Sequence, residues 1–220
     1  MKNLLLRNLI LFGIFLTVFP VISGATNITL QGSFTADDSF QLFTISLAAP
    51  AAVDIRSYGY GGGTTSTGVV VPRGGFDTIL TLFSASGAFI DDNDDGAGAA
   101  VDPITGQAAD ARITANLAAG SYIVALTQYD NFSIGNLIDG FAETGNPNFT
   151  ADPNFATGGA CPGNMFRDIS STAGRCRTGN WTVDFVNVAS ATAVPEPAAP
   201  LLVGFGLVLA ALARVRRVKS

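Results

Sequence analysis

Between residues 39 and 188 the chain breaks into short runs of β-branched and aromatic residues closed by Gly, Asp, Asn or Pro, with no convincing helical period between them. Six such runs stand out: Ser39–Leu47, Ala52–Tyr58, Asp77–Ser84, Ala111–Leu117, Ser121–Tyr129 and Asn180–Val188. In two of them the alternation is clean. Ile113, Ala115 and Leu117 would share one face of a strand, and Trp181, Val183 and Phe185 would share another. Antiparallel strands with one buried face each must stack sheet on sheet, so the expected fold is all-β, a β-sandwich of jelly-roll type. Its span is 26–190, with two long insertions at about 59–75 and 131–179.

The two ends of the chain are of another kind. Lys2 and Arg7 flank the apolar run LILFGIFLTVFPVI, and Ser23-Gly24-Ala25 then presents the small residues that a signal peptidase reads. Residues 1–25 are therefore expected to be a signal peptide cut after Ala25, the alternative being an uncleaved anchor. Near the C-terminus, the run from Ala198 to Ala213 would form a single transmembrane helix of ~24 Å, a little short of the ~30 Å hydrocarbon core. Arg214, Arg216, Arg217 and Lys219 would hold its end in the cytoplasm, leaving the sandwich outside.

Removing the ends sharpens the charge. Between Thr26 and Val194 six arginines face sixteen acidic residues, a net charge near −10 where the whole chain reads −5, and there is no lysine. Such a surface repels phosphate backbones and disfavours a nucleic-acid partner. The absence of histidine from the sequence rules out Ser-His-Asp and Cys-His nucleophile systems and His-ligated zinc. Without lysine, Schiff-base and Ser-Lys catalysis are excluded from the sandwich as well. A glycosidase-like carboxylate pair remains open, with Glu143 the only glutamate in this span.

One stretch has the composition of a cation site. In IDDNDDGAGAAVD, Asp91, Asn93 and Asp95 alternate, Gly96 follows, and Asp102 stands where the twelfth ligand of a calcium loop would lie. Calcium is the cofactor this spacing suggests; the competing reading is a solvated acidic turn. Cys161 and Cys176, the only cysteines, would close a disulfide loop of about fifteen residues in an oxidising compartment, the alternative being two thiols. Tyr58, Tyr60, Tyr129, Phe132, Phe141, Phe149 and Phe155 lie in or beside the insertions, where rings either stack on sugars or pack the loops down.

Two resemblances rest on these residues. The run from GSFTADDSFQLFTISL through FDTILTLFSASGAFIDDNDDG to ITANLAAGSYIVALTQYD resembles the bacterial pre-peptidase C-terminal domain, a small β-sandwich appended to secreted proteins. The matching positions are Asp38 with Phe40, Asp77 with Leu80 and Leu82, Gly87 before Asp91, and Leu117 to Tyr122. It covers roughly 31–130 and departs from that family at both insertions. The second is at 194–220, where Val194, Pro195, Glu196 and Pro197, an apolar span, and Arg214, Arg216 and Arg217 resemble the PEP-CTERM sorting segment of Gram-negative bacteria. That resemblance implies processing by the membrane protease exosortase and delivery to the cell surface or extracellular matrix, with extracellular polysaccharide a prospective partner. Pro-Glu-Pro suits a processing site, since prolines keep the backbone extended and outside the following helix. The expected function is a non-catalytic surface or matrix protein, with a calcium-dependent or carbohydrate-binding module as the alternative and a hydrolase a distant third.

Overall fold

A computed structural model describes residues 24–154, 161–168 and 175–195. Residues 1–23, the apolar run 198–213, Glu196, Pro197 and the terminal arginines lie outside the described residues. Among those described, no helix is long and apolar enough to cross a membrane.

The described residues form eleven strands: β1 (Thr26–Ser33), β2 (Gln41–Leu47), β3 (Ala51–Tyr58), β4 (Gly63–Thr64), β5 (Val70–Val71), β6 (Thr78–Ser84), β7 (Phe89–Asn93), β8 (Arg112–Leu117), β9 (Gly120–Gln128), β10 (Asn180–Val188) and β11 (Ser190–Val194). They form a four-stranded sheet in the order β1-β10-β3-β8, a five-stranded sheet in the order β11-β2-β9-β6-β7, and the small hairpin β4-β5. The nine strands of the two large sheets pair antiparallel. The chain is thus all-β, consistent with a sandwich.

Period-two alternation builds the core. Phe43, Ile45 and Leu47 of β2, Val53 and Ile55 of β3, Leu80 and Leu82 of β6, Val124 and Leu126 of β9, and Trp181, Val183 and Phe185 of β10 form one buried cluster between the large sheets. Ile113 and Leu117 of β8 join it, with Ala115 packed alongside. Six of the seven residues of β6 are buried, because its outer face is covered too. There Phe83, Ala125 and Phe141 cluster with Phe40, Leu42, Ile123 and Leu137, so part of the 131–179 insertion is a lid on the second sheet.

In the two large sheets, three strands go beyond the six sequence runs. β1 and β11 are polar or small-residue edge strands, held by pairing with β10 and β2 rather than by apolar side chains. β7 extends through Asn93, so Asp91 and Asn93 sit in a ladder opposite β6 instead of in a turn; charged residues are at home on such an edge.

The registers place all the short links at one end of the sheets. Leu47 pairs with Gly120, Ala51 with Leu117, and Thr26 with Val188. The long connections 34–40, 59–77, 94–111 and 129–179 gather at the other end, where Ser33 pairs with Asn180 and Thr78 with Gln128. Val194 opposite Leu42 brings the outgoing chain to this loop end. Phe34 and Phe76 stack there at 5.2 Å, and Phe76 meets Phe166 of the insertion at 5.9 Å, which closes the core.

Trp181 sets one tight constraint. Its indole lies over Gly32, where an added Cβ would come within 2.2 Å of Cζ2. Gly32→Ala must therefore displace the ring, and we expect a loss of about 1–3 kcal/mol, read as a lower melting temperature with a red-shifted tryptophan emission.

Candidate functional site

The loop end carries an unusual amount of buried charge. Arg177 has a side chain only 2% exposed, set between the fully buried carboxylates of Asp102 and Asp168. Its Nη1 donates to Asp102 Oδ2 at 2.6 Å, and its Nη2 and Nε donate to Asp168 Oδ2 at 2.8 and 3.0 Å. The guanidinium stacks 3.7 Å from the ring centre of Tyr60, whose hydroxyl donates to Asp168 at 2.8 Å. Arg73 approaches Asp102 from the solvent side with Nε and Nη2, both at 2.8 Å. Burial works against the ionised carboxyl of Asp102, but the bonds from Arg73, the Ile104 amide and Arg177 outweigh it and hold that group well below the usual carboxylate range. The Tyr60 phenol moves the other way, pushed up by burial and by its bond to Asp168.

Other buried carboxylates act as anchors for backbone. Asp37 accepts from the amide and hydroxyl of Thr150 at 3.0 and 2.6 Å and from the Phe166 amide at 2.6 Å, pinning the insertion to the link after β1. Asp184 on β10 accepts from the amide and hydroxyl of Ser66 at 2.7 and 2.9 Å, which lays the β4-β5 hairpin on the outer face of the first sheet. Asp110 accepts from the amides of Tyr60 and Gly61 at 3.1 and 2.9 Å. Burial pushes its carboxyl up to about 6, with those amides and Ser57 holding it back only in part.

The residues expected to hold calcium are divided between two environments. Asp102 belongs to the arginine cluster. Asp91 and Asn93 lie on β7, where Asn93 Oδ1 accepts from the Arg112 amide at 2.9 Å, and Asp95 follows in the turn. The described residues contain no group of three or more acidic or sulfur side chains placed to hold a metal ion. Like charges crowd this turn nonetheless: burial, then Asp91 and Asp94, push the Asp92 carboxyl up, and burial and Asp94 push Asp95 up.

Cys161 and Cys176 are joined in a disulfide with Cα atoms 5.3 Å apart. The bond flanks the ion cluster, since Cys176 precedes Arg177 and pairs with Arg167 beside Asp168. Of the loop aromatics, Tyr60, Phe141 and Phe149 are buried in packing roles, while Tyr58, Tyr129 and Phe132 are half-buried. Phe155 lies outside the described residues. Of the residues expected to form a sorting motif, Val194 ends β11 with its carbonyl accepting from Gln41 Nε2 at 2.9 Å, and Pro195 follows.

Two clefts flank the hairpin, with Tyr58 lining both. The larger, about 470 Å³, lies between residues 71–73 and the outer face of β1, β10 and β3. The smaller, about 240 Å³, is lined by Arg56, Arg112 and Asp110, with Asp54 between the two arginines. The cluster of Arg177, Asp168 and Tyr60 had no counterpart in the sequence reading. Its one faint signal was an arginine next to a cysteine in a lysine-free domain. No protein-family model matches this chain, and no curated protein matches it.

Arg177→Ala leaves two buried carboxylates without their shared cation, and a loss of about 3–5 kcal/mol in denaturant unfolding is expected. The two carboxylates with the largest shifts dominate the pH profile. Asp110, raised, contributes stability that is full below about pH 4 and lost as the pH climbs through about 6; Asp102, lowered, contributes stability present above about pH 4 and lost below it. The melting temperature should peak at about pH 4, and Asp110→Asn should flatten the decline from pH 5 to 7, worth roughly 1.3 kcal/mol.

Proposed function

We propose that this is an exported, non-catalytic surface or matrix protein, released from its leader by signal peptidase and sorted by an exosortase through its C-terminal segment. The observation that carries this reading is the sequence Val194-Pro195-Glu196-Pro197 followed by an apolar run and Arg214, Arg216 and Arg217. The ends of the described strands support it. Gly24 and Ala25 are exposed and β1 starts at Thr26, so a cut after Ala25 spares every strand residue. At the other end β11 stops at Val194, so a cut within Pro195–Pro197 does the same.

The strand order supports a jelly roll. β1-β10-β3-β8 facing β2-β9-β6-β7 is the arrangement of eight strands in which all connections but the β6-β7 hairpin cross between sheets, with β11 added beside β2. As a pre-peptidase C-terminal-like sandwich it serves as a structural or adhesive module on the outside of a Gram-negative cell. A non-catalytic role is supported by the lack of histidine and by the engagement of Asp102 and Asp168 with arginine.

The test is the mass of the protein produced from the full gene in a host with its exosortase and in the same host lacking it. The mature form should begin at Thr26 and lack the residues beyond the Pro-Glu-Pro motif only when the protease is present. Equal masses in both strains overturn the sorting reading.

A second reading, calcium at Asp91, Asn93 and Asp95, is favoured by the crowding of like charge at that turn. With an extracellular-type affinity of ~10⁻⁴ to 10⁻³ M, 10 mM calcium stabilises by about 1.4–2.7 kcal/mol. The melting temperature in calcium should then exceed that in chelator by several degrees, and equal values remove calcium from the account.

A further inference from the structure

We propose that the larger cleft beside the β4-β5 hairpin is a saccharide-binding site. Its volume of about 470 Å³ falls in the range of small-ligand pockets. Its chemistry differs from the rest of the surface: on a domain carrying a net charge near −10, no acidic residue lines it, and its charged member is Arg73. Apolar surface comes from Val71, Pro72 and the half-buried ring of Tyr58, and planar polar groups stand around it. That combination suits a sugar ring, which offers apolar C–H patches to one side and hydroxyls that both donate and accept to the other.

The polar groups have capacity to spare. Arg73 is held rigid by Asp102 through Nε and Nη2, which leaves Nη1 available on a side chain 40% exposed. Gln31 gives its Nε2 to Thr182 at 3.0 Å and keeps Oε1. Asn180 is exposed and its side-chain carboxamide makes no hydrogen bond with another described residue. Trp181 borders the cleft from the core side of β10, with its indole N–H fully buried, and serves as a reporter beside the site rather than as a ligand group. The edge of the indole beside that nitrogen lies against Gly32, another lining residue: a Cβ there would sit 2.7 Å from Cε2. Nothing in the lining pairs a nucleophile with a base, so the site binds and does not cleave.

The inference concerns the sandwich and is independent of how the chain is sorted, so the two readings fail separately. The chain has a single tryptophan, so the indole N–H resonance and the tryptophan fluorescence both report on Trp181 alone. The exported protein is titrated with cellohexaose, with trigalacturonate and with oligosaccharides released from the producing bacterium's own matrix polysaccharide. Saturable movement of the indole signal with at least one probe is expected, together with at least a tenfold weakening in Asn180→Ala and in Gln31→Ala at unchanged melting temperature. An indole signal unmoved at 10 mM of all three probes overturns the proposal, as does binding that both variants leave intact.

Discussion

The guanidinium of Arg177 is the group on which the loop end depends. It reaches Asp102 in the β7-β8 connection, Asp168 in its own insertion and the face of Tyr60 just after β3, so one cation joins three connections that are far apart in sequence. The gain over a well-packed apolar plug is small or absent, because two carboxylates and a guanidinium had to leave water. What the cluster contributes is uniqueness of arrangement. Planar groups with fixed donor directions accept one geometry, whereas apolar side chains of similar volume would accept several.

The rest of the loop end is organised around that geometry. The disulfide restricts the segment that carries Asp168 and Arg177, and Asp37 fixes the same insertion through the Phe166 amide. Asp110 and Asp184 orient the 59–71 segment through backbone amides. Arg73 owes its position over the larger cleft to Asp102, so the rim of that cleft is set from below by buried charge. Each insertion also covers the outer face of a sheet, and long connections that would otherwise be loose become a second layer over the sandwich.

Period-two patterning made the layers legible in advance. The runs containing Phe43, Ile55, Leu82, Ile113, Val124 and Val183 all became strands facing one core. β1 and β11 escaped notice because an edge strand needs only its backbone to pair, and TNITLQGS and SATAV carry little apolar signal. The acidic run was legible as composition but not as placement: its alternation fits β7 as well as a ligand loop, and Asp102 has the spacing of a ligand yet the surroundings of an ion pair. Asp168 and Arg177 stand nine residues apart, and Asp102 and Arg177 seventy-five, separations that no local pattern records. The disulfide needed no such long view, since the sequence holds two cysteines and each has one possible partner.

The register of β11 bears on mechanics. It pairs with β2 over Ser190–Ser46 to Val194–Leu42, and the chain leaves from its loop-end terminus. For a sandwich held by its tail, tension through Pro195 runs along the axis of β11, so the bonds of that ladder are loaded together in shear instead of being peeled one at a time. The strand that looked weakest by composition is thus placed to resist tension along the chain.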